Sequence, residues 1–190
     1  MPLERSQPLS RRKVIADLLT LSRIPLALLV FILGAAYGRT ALGVGLVLVL
    51  VGWTTDIFDG RLARSDPAGT HTAVGDADLA IDLLLDTAGL YLFVFAGLLP
   101  WLWSTVYLCV AALTIILWPK RDVITWFELP VLALHPVFAF AARPAVGWLY
   151  VAWMAGAALL NIDRLADIIR MLAESVGLRP GGGPDNPEGA

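Results

Sequence analysis

The sequence predicts an all-α integral membrane protein, a bundle of six transmembrane helices preceded by an N-terminal juxtamembrane amphipathic helix. Three observations support this fold class. Of the 190 residues, 58% are hydrophobic and 16% are charged, with a mean hydropathy of +0.74, whereas soluble proteins are about 45–50% apolar and about 25% charged. Six apolar stretches approach the roughly 20 residues that a helix needs to cross a bilayer. Basic residues fall mostly on one side of the resulting topology.

The elements follow one another without an internal repeat. The amphipathic helix is predicted over residues 11–23, where apolar and basic side chains alternate. The six spans are predicted over residues 22–37, 40–63, 78–99, 101–118, 123–142 and 145–161. A second amphipathic segment follows, and the Pro/Gly-rich residues 179–190 are expected to be a disordered tail. Residues 1–178 are therefore expected to form a single membrane-embedded domain.

Charge placement predicts the orientation of the bundle. With the amino terminus in the cytoplasm, twelve of the fourteen lysines and arginines lie inside, and only Arg39 and Arg143 lie outside. Positive residues concentrate in the cytoplasmic loops of membrane proteins. An even number of spans with both termini inside satisfies this asymmetry. The excess of arginine over lysine is typical of a GC-rich genome, and we expect a bacterial plasma membrane. Composition excludes a soluble enzyme, a disordered chain and a nucleic-acid-binding protein.

Acidic side chains concentrate at the cytoplasmic ends of the second and third spans. Asp56 and Asp59 are three residues apart, and Asp78, Asp82 and Asp86 follow in steps of four. Residues three or four apart lie on one face of a helix. Because a short loop joins the two spans, we expect antiparallel neighbours with both groups of carboxylates at the same depth. Acids inside membrane spans are functional candidates by default.

Converging carboxylates near lipid require a cation, because unpaired buried charge is costly. Arg61 and Arg64 are close in the sequence, and a divalent metal ion with oxygen ligands would satisfy the site more completely. A salt bridge between helix ends is the simpler alternative, but it would not need four acids. Gly60 and Ala63 leave one helix face open to a nucleotide or to another helix, and Arg64 offers a fork for phosphate.

The order of these residues forms a known pattern. The segment that resembles the signature of the CDP-alcohol phosphatidyltransferase family is Asp56-x-x-Asp59-Gly60-x-x-Ala63-Arg64, followed by Asp78-x-x-x-Asp82. Its first half matches the family pattern at every fixed position. In the second half about one residue is inserted, and Val74 stands where the family has glycine, with Gly75 next to it. An alternative alignment uses Asp82 and Asp86 as the last two acids but needs five inserted residues, so we favour the first.

Two further segments extend the resemblance over most of the chain. Asp17-x-x-Thr20-x-x-Arg23 is similar to the family's opening N-x-x-T-x-x-R, with aspartate in place of asparagine. Arg121 and Asp122 are similar to an arginine–acid pair at the start of the family's fifth span. The family architecture, six spans with a juxtamembrane helix, agrees with the expected fold.

The resemblance implies an enzyme of phospholipid biosynthesis. Family members transfer a phosphatidyl group from CDP-diacylglycerol, or a related CDP-alcohol, to an alcohol and release CMP. The resemblance implies two Mg²⁺ or Mn²⁺ ions and a homodimer in the membrane, with the active site on the cytoplasmic side. By position, the metal ligands would be Asp56, Asp59, Asp78 and Asp82. Asp82 would also be the general base, and the CDP contacts would be Gly60, Ala63 and Arg64.

The acceptor alcohol is the least determined part of the sequence prediction. Lys120 and Arg121 at the cytoplasmic start of the fifth span would suit a phosphorylated acceptor, such as glycerol 3-phosphate or inositol phosphate. Against this, Leu83 stands where the glycerophosphate branch of the family often has lysine. Glu128 either lines a polar cavity or pairs with Arg143, and the sequence does not decide between the two.

Three other functions compete with phosphatidyl transfer. An intramembrane metal-dependent prenyltransferase also holds a diphosphate with two acidic motifs, but it generally has more spans and lacks the glycine–alanine–arginine continuation. An ion-coupled carrier would tend to place its acids near the middle of the bilayer, often with inverted repeats. A catalytically degenerate family member, disabled by the shifted glycine, is the third.

Overall fold

The structure is a computed structural model that describes residues 10–65, 72–160 and 162–175. Regular structure in these ranges is entirely helical, which confirms the all-α prediction. The helices are α1 (Arg11–Tyr37), α2 (Leu42–Arg64), α3 (Ala73–Asp76), α4 (Asp78–Phe95), α5 (Trp101–Leu117), α6 (Arg121–Ala142), α7 (Pro144–Leu160) and α8 (Ile162–Ser175). The predicted tail, residues 179–190, lies outside the described residues, and the single-domain boundary at 178 stays a prediction.

The amino-terminal amphipathic segment is not a separate element. It forms one continuous helix with the first apolar stretch, and α1 runs through Pro25 for 27 residues. Ser10 caps this helix, since its side chain accepts a hydrogen bond from the backbone nitrogen of Lys13 at 3.1 Å. The expected juxtamembrane helix is therefore the first part of α1, and this continuity carries polar side chains of α1 directly into the bundle.

Membrane-spanning length is met by fewer helices than the sequence prediction requires. Among the described residues, two stretches are long and apolar enough to cross a bilayer, Arg11–Ala63 and Asp122–Ala142. The first contains both α1 and α2. Two shorter apolar helices, Trp101–Leu117 and Pro144–Leu160, accompany them, while α4 carries three aspartates. The count of six spans stays a prediction.

Helices α1, α2 and α4 form the centre of the bundle, where α1 packs against both of the others. A short 3₁₀ turn joins α1 to α2, and Gly38 takes a positive φ of 52° there, which glycine adopts without strain. At the other end, Arg12 donates a hydrogen bond to the backbone oxygen of Ser65 at 2.9 Å. The amino-terminal end of α1 therefore lies beside the carboxyl-terminal end of α2.

A glycine sets the separation of α2 and α4 next to the acidic residues. A Cβ atom added at Gly52 would come within 2.3 Å of Leu85. A side chain at position 52 would therefore force Leu85, which is buried, to move, so Gly52 permits the close packing of α2 on α4. Gly52 is one turn before Asp56, and Leu85 lies between Asp82 and Asp86.

Helices α6, α7 and α8 cover one side of this centre. Helix α7 is fixed to α2 by two hydrogen bonds: the Tyr150 hydroxyl donates to the backbone oxygen of Leu46 at 2.7 Å, and Trp153 Nε1 donates to Thr54 Oγ1 at 2.9 Å. Helix α6 continues through its two internal prolines. Helix α8 contacts both α6 and α7. This arrangement encloses a space between α2, α4, α6 and α7.

Candidate active site

The structure brings together the acids of the favoured alignment. Carboxylate oxygens of Asp56, Asp59 and Asp78 lie within 4.8 Å of one another. Asp82, one turn after Asp78 on α4, contacts the same arginine as these three residues. Asp86 lies one further turn along α4 and accepts a hydrogen bond from Trp53 Nε1 at 3.0 Å. The acidic cluster, defined here as Asp56, Asp59, Asp78 and Asp82, thus joins α2 to α4.

Arg23 of α1 is the cation at the centre of the acidic cluster. Its side chain is 0% exposed. Nη2 lies 2.5 Å from both Asp59 and Asp78, and Nη1 lies 3.1 Å from Asp56. Nη1 also contacts Asp82. One guanidinium carries a single positive charge, so four ionised carboxylates around it leave an excess of negative charge.

The sequence interpretation looked for this cation in the wrong place. Arg61, which follows Gly60 within the motif, is exposed and donates to the backbone oxygen of Leu160 at 2.7 Å. Arg23 reaches the acids because α1 packs between α2 and α4. The available signal was Asp17-x-x-Thr20-x-x-Arg23, whose spacing places all three side chains on one face of α1. That segment contributed to the family resemblance, but no role in the site was inferred from it.

Thr20 and Asp17 extend the polar network along α1. Thr20 Oγ1 is 2.8 Å from Asp59 and 3.3 Å from Asp78, and it donates to these carboxylates. One turn earlier, Asp17 lies 3.0 Å from Lys13 Nζ and accepts a hydrogen bond from Thr72 at 3.1 Å. The face of α1 that points into the bundle is therefore polar from Lys13 to Arg23.

One cavity borders the acidic cluster beside the first turns of α1, and we name it the outer cavity. It has a volume of about 360 Å³. The cluster contributes Asp59 and Asp78 to its wall. The remaining polar or small lining residues include Lys13, Asp17, Thr20, Gly60, Ala63, Thr72 and Gly75. Gly60 and Ala63 therefore face open space, as expected for residues that admit a ligand.

Gly75 takes part in the outer cavity although it is displaced by one position from the family pattern. A Cβ atom added there would lie 2.9 Å from Lys13 Nζ and 3.3 Å from Thr72 Oγ1. The backbone nitrogen of Gly75 also donates to Thr72 Oγ1 at 3.1 Å. A side chain at this position would therefore displace the ammonium group of Lys13, and Gly75 lines the same cavity as Gly60 and Ala63.

A second cavity is lined by the other two acids of the cluster, and we name it the inner cavity. Its volume is about 380 Å³. The cluster contributes Asp56 and Asp82 to its wall. Four further polar or aromatic residues line it: Trp53, Asp86, Glu128 and Trp153. Of the two roles left open for Glu128, the structure shows it lining a cavity. Apolar residues, among them Leu85, Leu132 and Met154, form much of the rest.

Comparison with known proteins decides the family. The model of the CDP-alcohol phosphatidyltransferase family matches residues 13–170, well over half of the chain. The chain belongs to this family. No curated protein and no solved structure gave a significant match to the chain. The match begins at Lys13 and therefore includes the polar face of α1 as well as the acidic cluster.

The donor atoms of the acidic cluster suit the divalent cation on which enzymes of this family generally depend. Three carboxylates within 4.8 Å of one another supply hard oxygen ligands, which Mg²⁺ and Mn²⁺ prefer. Arg23 leaves most of the cluster's negative charge uncompensated, so a divalent cation would complete the charge balance. These residues fit a metal ion, although the identity and number of the ions stay predictions.

Three of the predicted substrate-binding side chains lie apart from this geometry. The side chains of Arg64 and Arg121 lie outside the described residues, although the backbone of each is helical. Lys120 is exposed just before α6 and lines neither cavity. Their roles stay predictions.

Proposed function

We propose that this protein transfers a phosphatidyl group from CDP-diacylglycerol, or a related CDP-alcohol, to a small alcohol and releases CMP. Family membership supports phosphatidyl transfer in phospholipid synthesis. The observation that carries the finer assignment is the pair of cavities that each take two acids of one cluster into their walls. An in-line displacement needs the attacking and leaving oxygens on opposite sides of the phosphorus, and we propose that donor and acceptor reach the shared acids from the two cavities.

The outer cavity is the proposed site of the CDP group. Gly60 and Ala63 permit a nucleotide to approach the backbone of α2. Lys13, 7% exposed and 3.0 Å from Asp17, offers a cation for the diphosphate. Arg64, on the same helix as Gly60 and Ala63, is proposed to bind phosphate as well.

The inner cavity is the proposed site of the acceptor alcohol. Asp82 lines it, and we propose that Asp82 takes the proton of the acceptor hydroxyl, which requires the two oxygens to lie within about 3 Å. The hydroxyl oxygen then forms a bond to the phosphorus that carries diacylglycerol. The bond between that phosphorus and the bridging oxygen breaks, and CMP leaves with the bonding electron pair.

Divalent cations are proposed to bind Asp56, Asp59, Asp78 and Asp82. When bound, such ions neutralise charge on the diphosphate and stabilise the leaving CMP. Arg23 and Thr20 contribute differently, since they hold the carboxylates of two helices in one place. The transfer is proposed to occur at the cytoplasmic face of a bacterial membrane, in a homodimer.

The experiment that tests the proposal is an assay of CMP release. Purified protein would be incubated with CDP-diacylglycerol, Mg²⁺ and a panel of alcohols, and the phospholipid product identified by mass spectrometry. We expect metal-dependent CMP release with at least one alcohol, and its loss in Asp56→Asn and Asp59→Asn. Metal-dependent activity that survives both substitutions would exclude the acidic cluster as the site.

The proposed orientation can be tested separately. Reporter enzymes fused near Arg39 and after α8 should lie on opposite sides of the membrane, because the basic residues favour a cytoplasmic carboxyl terminus. Reporters on the same side would overturn the proposed topology.

A further inference from the structure

We propose that the inner cavity selects an acceptor that carries an ammonium group, that is, a small amino alcohol rather than a phosphorylated one. This inference rests on the proposed function, because it names the acceptor of the same reaction. It also replaces the phosphorylated acceptor expected from Lys120 and Arg121. The evidence is the set of side chains that line the cavity beyond the acidic cluster.

The inner cavity has more carboxylates than metal binding and base catalysis require. Asp86 and Glu128 lie on its wall in addition to Asp56 and Asp82. Asp86 is held in place by the hydrogen bond from Trp53 at 3.0 Å. Half-buried carboxylates in a cavity whose remaining wall is largely apolar disfavour an anionic ligand and attract a cationic one.

Two indole rings occur beside these carboxylates. Trp53 and Trp153 both line the cavity, with ring centroids 5.7 Å apart. Each ring is fixed by its own nitrogen, since Trp53 donates to Asp86 and Trp153 donates to Thr54. Ammonium groups bind the faces of tryptophan rings by cation–π attraction, and alkylated ammonium groups do so especially well. Carboxylates and indoles together form a site for an organic cation.

The spacing along α4 fits the length of an amino alcohol. Asp82 and Asp86 are four residues apart, which corresponds to about 6 Å along a helix axis at 1.5 Å per residue. An alcohol with two or three carbons between oxygen and nitrogen can place its hydroxyl at Asp82 and its ammonium group at Asp86. Transfer then proceeds as described, with the hydroxyl proton passing to Asp82, and the ammonium group is unchanged by the reaction.

The test compares acceptors that differ in charge but not in shape. Purified protein with CDP-diacylglycerol and Mg²⁺ would be assayed for CMP release with choline and with its neutral isostere 3,3-dimethyl-1-butanol. Ethanolamine and ethylene glycol form a second pair, and glycerol 3-phosphate is the anionic acceptor. We expect KM for each amino alcohol to be at least tenfold below that of its neutral partner. We also expect Asp86→Asn to remove most of this difference by raising KM for the amino alcohol alone.

A control variant and a second variant keep the test decisive. Asp167 on α8 is exposed and pairs with Arg170, so Asp167→Asn removes the same charge away from the cavity and should leave both KM values unchanged. If Asp86→Asn does not fold, Glu128→Gln provides the same comparison, with a smaller rise in KM for the amino alcohol.

Each outcome of the acceptor panel has one interpretation. Equal KM values within both pairs, or turnover of glycerol 3-phosphate in preference to the amino alcohols, would overturn this inference and leave the proposed function intact. A lack of CMP release with every alcohol would overturn the proposed function and this inference with it. A lower KM for the amino alcohols that Asp86→Asn abolishes would support both.

Discussion

The two cavities next to the acidic cluster have equal numbers of carboxylates and differ in the rest of their walls. The outer cavity has one lysine, two threonines, four aspartates and four small residues on its wall. The inner cavity has four carboxylates and two indole rings in a largely apolar wall. One side is therefore suited to a nucleoside diphosphate and the other to a small alcohol. The comparison teaches that the motif acids divide into pairs, Asp59 and Asp78 on one side and Asp56 and Asp82 on the other.

The largest expected effect separates the two acids of α4 that line the inner cavity. Asp82→Asn should reduce the rate of transfer by about 10²–10⁴-fold, the usual contribution of a general base, while binding of CDP-diacylglycerol largely persists. Asp86→Asn, which keeps an acceptor for the Trp53 hydrogen bond, should cost far less. Rates of CMP release and equilibrium binding of the CDP-lipid measure the two effects.

The reverse order of these two variants would contradict the favoured alignment. If Asp86→Asn is inactive and Asp82→Asn still turns over, the base is Asp86, and Asp82 belongs with the metal ligands. The general base would then lie one helical turn further along α4 than proposed.

Arg23 provides the next largest effect, because it contacts both pairs of acids. Arg23→Gln would leave the buried carboxylate of Asp59 and three half-buried carboxylates without their cation. Breaking a fully buried ion pair costs about 3–5 kcal/mol, and solvent around the three half-buried acids makes the expected loss smaller than that. We expect lower thermal stability in the presence of a chelator, with partial recovery when Mg²⁺ is added, since a ligand that binds the folded state stabilises it. Arg12→Gln is the control, because Arg12 contacts the backbone of Ser65 rather than the acids. Equal destabilisation by both substitutions would show that Arg23 has no special role.

A matched pair of smaller changes tests the separate roles of the cavities. Ala63→Leu adds bulk to the outer cavity, and Ala158→Leu adds the same bulk to the inner one. Overfilling of a packed site costs about 1–3 kcal/mol, which corresponds to roughly 5–150-fold in affinity. Ala63→Leu should raise KM for the CDP-lipid, and Ala158→Leu should raise KM for the acceptor. If both variants raise the same KM, the two cavities are parts of one site.

The sequence predicted the individual helices of this bundle better than the contacts between them. Proline and apolar length located the ends of α5, α6 and α7 closely, because both act locally. The spacing of Asp56, Asp59, Asp78 and Asp82 predicted that these acids converge, and the structure brings them together around one arginine. Arg23 was recognised as a cytoplasmic charge and as part of the family resemblance but not as a partner of these acids, since a contact across more than thirty residues depends on how α1 packs. The sequence also did not reveal that the amphipathic segment and the first apolar stretch form one continuous helix, α1.

The inner cavity could not be predicted from the sequence for the same reason. Its wall combines residues of α2, α4, α6, α7 and α8, and periodicity within one helix does not reveal which faces meet. Glu128 was recognised as unusual, but Trp53 and Trp153 could not be distinguished from the tryptophans that anchor spans at an interface. Their hydrogen bonds to Asp86 and Thr54 identify them as parts of the site.

The configuration at phosphorus tests most directly whether donor and acceptor meet across the acidic cluster. CDP-diacylglycerol made chiral with oxygen isotopes at the phosphorus that carries the lipid would be converted to phospholipid, and the product analysed by ³¹P NMR. A single displacement from the opposite cavity predicts inversion of configuration. Retention would require two successive displacements through a covalent intermediate, and it would contradict direct attack by an acceptor bound in the inner cavity.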